Sequence, residues 1–349
     1  VLVPTDNSGL TGGATYSYRG LGLPVIGLNA SQNWTRIGVV EERTQPFAIL
    51  GDLRDREREV DVSATWLRQR YRSSVAATVA AGVQRHDYRA TPDSLLALVD
   101  TSGRYNPAVI PVMTIAGGFA AYSIPPFAIS PEDGLAAAVT VRDRLKSGFT
   151  STGPPTISTV GTLAVFKSVP LPGYSHSVVA LRGALGDADT RSNGYYQVGG
   201  ISGSTFQIVP GIAIGEGAQT FGVRGYEPAT LIGVRALAGS AEYRMPLSLD
   251  ERSAGILPLF LERTSLTVFG DYGAAWCPST AGGRAVCTDE ILQRRSALTS
   301  AGAELNVNAG LLSWDVPYRF RLGAAFPLAN VAAVGRPRLV WYLTSGVSF

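Results

Sequence analysis

The residues best placed to do chemistry are an arginine and two acids, and that chemistry is ion pairing. Arg224 sits in QTFGVRGYEPATLIG, a stretch otherwise apolar and rich in glycine. A guanidinium carries five donors in a rigid fork and meets carboxylates two bonds at a time. Two acids lie in the segments that follow, Glu242 in ALAGSAEYRMPL and Asp271 in SLTVFGDYGAAW. Gly225 lets the backbone turn tightly enough to present the arginine, with Tyr226 beside it. Bond-making chemistry has no comparable set. His86 and His176 are the only histidines, and each reads as a rim or interior group rather than a ligand. Ser175 and His176 are adjacent, which does not make them nucleophile and base. No G-x-S-x-G, Walker or dinucleotide glycine motif occurs. Asp52, Asp55, Glu57 and Glu59 cluster, but the arginines between them suggest a salt-laced hairpin loop over 52–61 rather than a cation site. Cys277 and Cys287 have no zinc spacing. The expectation is therefore no catalytic residue, no metal and no cofactor.

The elements that must position Arg224 and its acids repeat with a period of two. Successive side chains of a strand face opposite ways. In 265–276 one face carries Ser265, Thr267, Phe269, Asp271, Gly273 and Ala275; the other carries Leu266, Val268, Tyr272 and Trp276. In 236–247 Ala236, Ala238, Ser240, Glu242 and Arg244 share the polar face. Segments 299–308, 318–326 and 339–349 alternate in the same way, with Glu304 among the polar-face residues of the first. Glu242 and Asp271 thus point to one side from neighbouring strands, and an unpaired buried carboxylate there costs several kcal/mol. The segment 201–235 is long for a hairpin and poor in charge, as a loop folded back on that side would be. Two readings of Arg224 fit these facts: it bridges Glu242 and Asp271 in the interior, or it is a surface loop charge while both acids face a watery pore.

Alternation alone allows a soluble sandwich or an outer-membrane barrel with its apolar face to lipid. The barrel is favoured by strands of about 10–13 residues, long against soluble averages. Aromatic residues near strand ends, such as Trp66, Trp276, Tyr318 and Trp341, suit interface girdles. Charged residues make up 16% of the chain, against roughly 25% in ordinary soluble domains. The formal net charge of +3 gives no basis for nucleic-acid binding. One uncharged stretch, 107–129, mimics a membrane helix, but its Pro and Gly pairs favour a strand flanked by turns. A coarse pass along the chain gives fifteen strands, one short of the even number that single-chain bacterial barrels have.

The chain resembles the Omp85 superfamily of outer-membrane barrels, the BamA/surface antigen D15 family. VRGY at 223–226 is similar to the family's VRG[FY] motif at the tip of the sixth outer loop, AEYRMPL at 241–247 to its next strand, and FGDYGAAW at 269–276 to the aspartate-bearing strand after that. The end of the chain, with Trp341, Leu343, Val347 and Phe349, resembles the family's C-terminal assembly signal. The resemblance implies an all-β transmembrane antiparallel barrel of sixteen strands over 1–349, with the long sixth extracellular loop, 201–235, folded into the lumen. It implies that the loop arginine is held by Glu242 and Asp271, and that the first and last strands meet at a weak seam near 9–19 and 339–349. Members carry POTRA domains ahead of the barrel, and none fits before residue 9. Either they were removed, or this is a barrel-only member, which would need another protein to deliver substrate. The implied hairpin order puts the segment after 276 outside the cell, in an oxidising setting, so a Cys277–Cys287 disulfide is expected.

By that resemblance the function is non-enzymatic: insertion, assembly or translocation of polypeptides at the bacterial outer membrane. The implied partners are outer-membrane lipid and lipopolysaccharide, substrate outer-membrane or secreted polypeptides, and separate periplasmic proteins. The alternatives are a passive porin or small-molecule channel, and a structural barrel acting through its outer loops.

Overall fold

The computed structural model describes residues 12–42, 48–91, 107–145, 156–169, 175–189, 196–201, 206–209, 212–214, 221–227, 230–253, 259–278, 297–311, 318–329 and 339–347. The strands are β1 (Gly12–Tyr18), β2 (Val25–Glu42), β3 (Ala48–Gln69), β4 (Ser74–Thr91), β5 (Ala108–Ser123), β6 (Glu132–Arg144), β7 (Thr156–Ser168), β8 (Val178–Ala188), β9 (Tyr196–Val198), β10 (Phe206–Val209), β11 (Ile212–Ile214), β12 (Leu231–Gly233), β13 (Arg235–Ser253), β14 (Leu259–Trp276), β15 (Ala297–Leu311), β16 (Tyr318–Pro327) and β17 (Val340–Val347). Thirteen of them form one antiparallel sheet, β1 to β8 followed by β13 to β17, each hydrogen-bonded to its neighbours in chain order. Two small sheets, β10–β11 and β9–β12, arise between β8 and β13. No helix among the described residues is long and apolar enough to cross a membrane.

The alternation in sequence becomes two chemically distinct faces. Along β14, Thr267, Phe269, Asp271 and Ala275 are buried while Val268 and Tyr272 are exposed. Along β17, Tyr342 is 8% exposed and its neighbour Leu343 72%. The exposed face also carries Val60, Val62, Val79, Ile115, Leu163, Leu185 and Leu322. An apolar face this extensive is what lipid, rather than water, stabilises. The sheet curls strongly. Arg263 on β14 donates to the Ala128 carbonyl, and Arg319 Nη2 on β16 donates to the Ile129 carbonyl at 3.2 Å. Both carbonyls belong to the β5–β6 turn, far away in strand order, so the turn reaches across the concave side.

Several expectations need correction. The coarse count of fifteen strands becomes thirteen in the described sheet, for two physical reasons. Residues 52–61 are not a hairpin loop but the middle of β3, a single strand of 22 residues. Their charges find partners on adjacent and facing strands: Arg56 pairs with Asp87 at 3.0 Å, and Arg142 pairs with Glu59. The segment 195–200 leaves the main sheet as β9 and pairs with β12 instead. The loop carrying VRGY therefore joins the eighth and ninth strands of the sheet, and the ordinal of six belongs to a sixteen-strand count. The segment 107–129, which mimics a membrane helix, is β5 and the turn after it.

The two ends of the sheet do not pair with each other among the described residues. With antiparallel neighbours throughout and an odd number of strands, β1 and β17 run in the same direction, which rules out antiparallel bonding between them. The β10–β11 hairpin stands there instead, β11 alongside β1 and β10 alongside β17.

Candidate functional site

The site begins with a turn. Gly200 and Val223 form an isolated bridge, Gly199 N donates to Phe221 O at 3.1 Å, and Gly200 N donates to Tyr226 O at 3.0 Å. These bonds fold residues 221–226 against the base of the loop. Gly225 has φ +91°, a left-handed conformation open to glycine, and a Cβ there would meet Ala325 Cβ at 3.1 Å. The turn is seated on the inner faces of β8, β13, β14 and β15. Val198, Phe221, Val223 and Tyr226 pack with Ala184, Ala236, Ala238, Ala275 and Leu298, all buried. Small inward side chains make this possible. At Gly273 a Cβ would lie 2.4 Å from Val223 Cγ2 and 2.6 Å from Val198 Cγ1.

The arginine is directed by this packing onto three acids. Arg224 is 5% exposed. Its Nε donates to Asp271 Oδ2 at 2.7 Å and its Nη2 to Oδ1 at 2.7 Å, a bidentate pair. Its own backbone N–H donates to Asp271 Oδ2 at 3.0 Å. Nη2 also reaches Glu242 Oε1 at 3.0 Å and Ser240 Oγ at 2.9 Å. Nη1 lies 3.2 Å from Glu304 Oε1. The guanidinium carbon is 3.5 Å from the centre of the Phe269 ring, a close cation–π contact.

The acids are held in turn. Glu242 Oε2 accepts from Arg244 Nε at 2.8 Å and Nη2 at 2.6 Å, and Oε1 accepts from Arg182. Tyr342 Oη donates to Glu304 Oε1 at 2.6 Å. Three guanidiniums and three carboxylates thus form one network spanning β8, β13, β14, β15 and the loop. Tyr226 ties the turn to the far side, donating from Oη to Thr299 O at 2.8 Å and to Ala329 O. Balanced charge and near-complete hydrogen bonding are what allow so many ions to be buried. Nothing in this arrangement leaves a nucleophile beside a base. It can fix a loop, not break a bond.

Glu242, Asp271 and Arg224 are therefore together, with Gly225 and Tyr226 at the turn. Glu304, Arg182, Arg244, Phe269 and Tyr342 were not singled out from sequence. Glu304 stood on the polar face of its strand, two strands from Glu242, and the same face count would have found it. Trp341 and Leu343 are exposed on the outer face of β17. Val347 ends β17, its side chain outside the description, and Phe349 lies outside the described residues. Cys277 is buried beside Ala188 and Val234, and no free cysteine is present among the described residues; Cys287 lies outside them. His86 and His176 sit near strand ends, with Nδ1 at 2.7 Å from Asp55 Oδ2 and at 2.8 Å from Glu132 Oε1. No group of acids, histidines or cysteines that could hold a metal occurs among the described residues.

Beside Arg224 the concave side is open. A cavity of about 580 Å³ is bordered by Arg182, Arg224 and Arg321 and, opposite, by Ala76, Gly118, Ala138 and Thr162.

No family model matches this chain, and no curated protein does. Among solved structures it is similar to BamA from Haemophilus ducreyi, in a crystal structure lacking POTRA domains 1-3, with a TM-score of 0.50 at 11% identity over 97% of this chain and 69% of that one. The two share a fold. At this identity the likeness reaches no further than the fold.

Proposed function

We propose that the chain is an Omp85-type barrel of the bacterial outer membrane, spanning 1–349 as one unit, that works without chemistry in the insertion, assembly or translocation of polypeptides. The observation that carries this reading is the loop arginine clamped by Glu242 and Asp271 inside a BamA-like fold. A loop fixed this firmly in a lumen narrows it, and its release is a means of opening it. Residues 201–235 act as the lock, and Arg224, Gly225, Tyr226, Glu242 and Asp271 are its parts. Substrates are outer-membrane or secreted polypeptides brought by separate periplasmic proteins, and the terminal strands, through Trp341, Leu343, Val347 and Phe349, carry the signal for the barrel's own assembly. An exposed strand edge offers main-chain hydrogen bonds to an incoming strand.

The test is reconstitution of the chain into liposomes, followed by the folding of an unfolded outer-membrane substrate added from outside. Faster substrate folding than in empty liposomes supports the reading. A steady ohmic conductance in planar bilayers with no effect on substrate folding moves the protein to the second reading, a passive channel. That alternative is favoured by the cavity beside Arg224, whose alanine and glycine lining leaves room for water and small solutes.

We also propose that Cys277 and Cys287 form a disulfide closing WCPSTAGGRAVC on the outside. Intact mass after alkylation should rise by two labels only when reductant is added first. Two labels without reductant would disprove the bond.

A further inference from the structure

β3 and β4 pair in unbroken register from Asp52↔Thr91 to Gln69↔Ser74. Every residue on their outer face is therefore known. Val60, Val62 and Trp66 on β3 and Val75, Val79 and Val83 on β4 form an exposed apolar band, continued by Leu28 on β2 and Ile115 on β5. Immediately past the Val60↔Val83 pair, on the same face, the chemistry changes within one step. Arg58↔Arg85 comes next, then Arg56↔Asp87, then Arg89 opposite Arg54. Trp34 of β2 stands opposite Arg56 on that face.

These side chains form a compact cationic patch. Asp87, itself buried, accepts from Arg56 Nη2 at 3.0 Å, from Arg85 Nε at 3.1 Å and from Arg58. The guanidinium carbons of Arg56 and Arg89 each lie 5.6 Å from the centre of the Trp34 ring. Three guanidiniums thus converge on one carboxylate, and a fourth, that of Arg89, lies across the Trp34 ring. Three further donors there, Arg56 Nε, Arg58 Nε and Trp34 Nε1, are buried and reach no acceptor among the described residues. Concentrating like charge costs free energy unless an anion is supplied. Arg56, Arg58 and Arg85 share the single carboxylate of Asp87.

We propose that this patch binds the phosphorylated headgroup of an outer-leaflet glycolipid of the lipid A type, with its acyl chains on the valine band. The proposal rests on the outer-membrane reading above, which puts this end of the sheet, the end that also carries the VRGY loop and Cys277, outside the cell. Three features select the ligand. The charge lies at the edge of the lipid-facing band, not in the interior, so the anion must be at headgroup depth. Arg58 and Arg85 stand one step nearer the band than Arg56, a separation of roughly 7 Å along the strand, and two steps nearer than Arg89. A headgroup with two phosphates spans that distance; one phosphodiester meets a single rung. Arginine forks and the Trp34 face also suit a phosphosugar better than a small free ion.

The test uses the full chain in neutral detergent, probed with diphosphorylated lipid A, phosphatidylglycerol and inorganic phosphate, and read by native mass spectrometry. Wild type should retain lipid A through stepwise delipidation. The double variant Arg58→Gln, Arg85→Gln should weaken retention on the order of tenfold or more, since two charge-assisted contacts go. Arg70→Gln, at the opposite end of β3, should change nothing. Asp87→Asn removes the patch's own carboxylate and should strengthen retention; it stands in if the double variant fails to fold, as judged by heat-modifiable migration on gels. Equal retention by the double variant overturns the proposal, as do weaker retention by Asp87→Asn and equal competition from phosphatidylglycerol or phosphate. The outcome is separable from that of the functional reading: a protein inactive in substrate folding can still hold lipid A, whereas one that does not enter membranes refutes both.

Discussion

The two sides of the concave interior follow the same alternation but do opposite things. On β13 to β15 the inward residues are Glu242, Asp271 and Glu304, with Phe269 between them, and the loop is drawn down onto them until Val223 and Val198 are fully buried. On β4 to β7 the inward residues at the same depth are Ala76, Gly118, Ala138 and Thr162, and they border an open cavity. One side recruits chain and the other leaves space. Carboxylates in an interior demand a cation, and a loop arginine is the cation within reach. Alanine and glycine demand nothing and are too small to fill the gap. The position of the loop thus follows from where the acids are, and the position of the free volume from where they are not.

The comparison breaks most completely if the cation is removed. Arg224→Ala leaves Asp271 and Glu304 buried without their guanidinium, and loss of one partner from a buried ion pair typically costs about 3–5 kcal/mol. The expected result is a lower midpoint in urea unfolding, protease cleavage within 201–235, and larger conductance. Arg224→Lys keeps the charge but loses the fork, and should recover only part of the loss. In a double-mutant cycle, Arg224→Ala with Asp271→Asn should show coupling of about 0.5–3 kcal/mol, because the second change removes the charge the first left stranded. Additive effects would mean that the network is not shared.

A smaller effect comes from the packing that steers the arginine. Gly273→Val puts side-chain atoms where Val223 and Val198 now sit, at contacts of 2.4 and 2.6 Å for the Cβ alone. Overpacking of this kind costs about 1–3 kcal/mol. The loop should become accessible to protease while the acids stay in place. Unchanged protection would show that the charges alone seat the loop.

Much of the tight side was legible in sequence because it obeys local rules. The faces of 265–276 and 236–247 followed from counting by two, and with them the convergence of Asp271 and Glu242. Glu304 obeys the same rule, but two acids suffice to pair one arginine, and a third carboxylate is tolerable only because Arg182 and Arg244 balance the charge from other strands. Arg244 shares the face of Glu242 within one segment, but Arg182 depends on register across the sheet, which no single segment carries. The same limit explains 52–61. Eight charges in ten residues look like a solvated loop until Asp87 and Arg142 are seen alongside them. The segment 195–200 pairs with β12 as β9, and Gly199 and Gly200, both at positive φ, turn the chain directly after that strand. Their pairing was visible in sequence, their direction was not.

The open side yields the smallest expected effect and the sharpest contrast. Ala138 lies on β6 between Gly118 and Thr162, its side chain toward the cavity. Ala138→Phe adds a ring into existing space rather than into packed atoms, so it need not displace a neighbour, and the burial of new apolar area offsets much of the lost rotamer freedom. Its effect on unfolding should stay within about 1 kcal/mol, well below that of Gly273→Val. If water and solutes pass beside the loop, single-channel conductance should fall. A large loss of stability would mean the space is not free, and the contrast between the two sides would then lie in shape alone rather than in what each side asks of the loop.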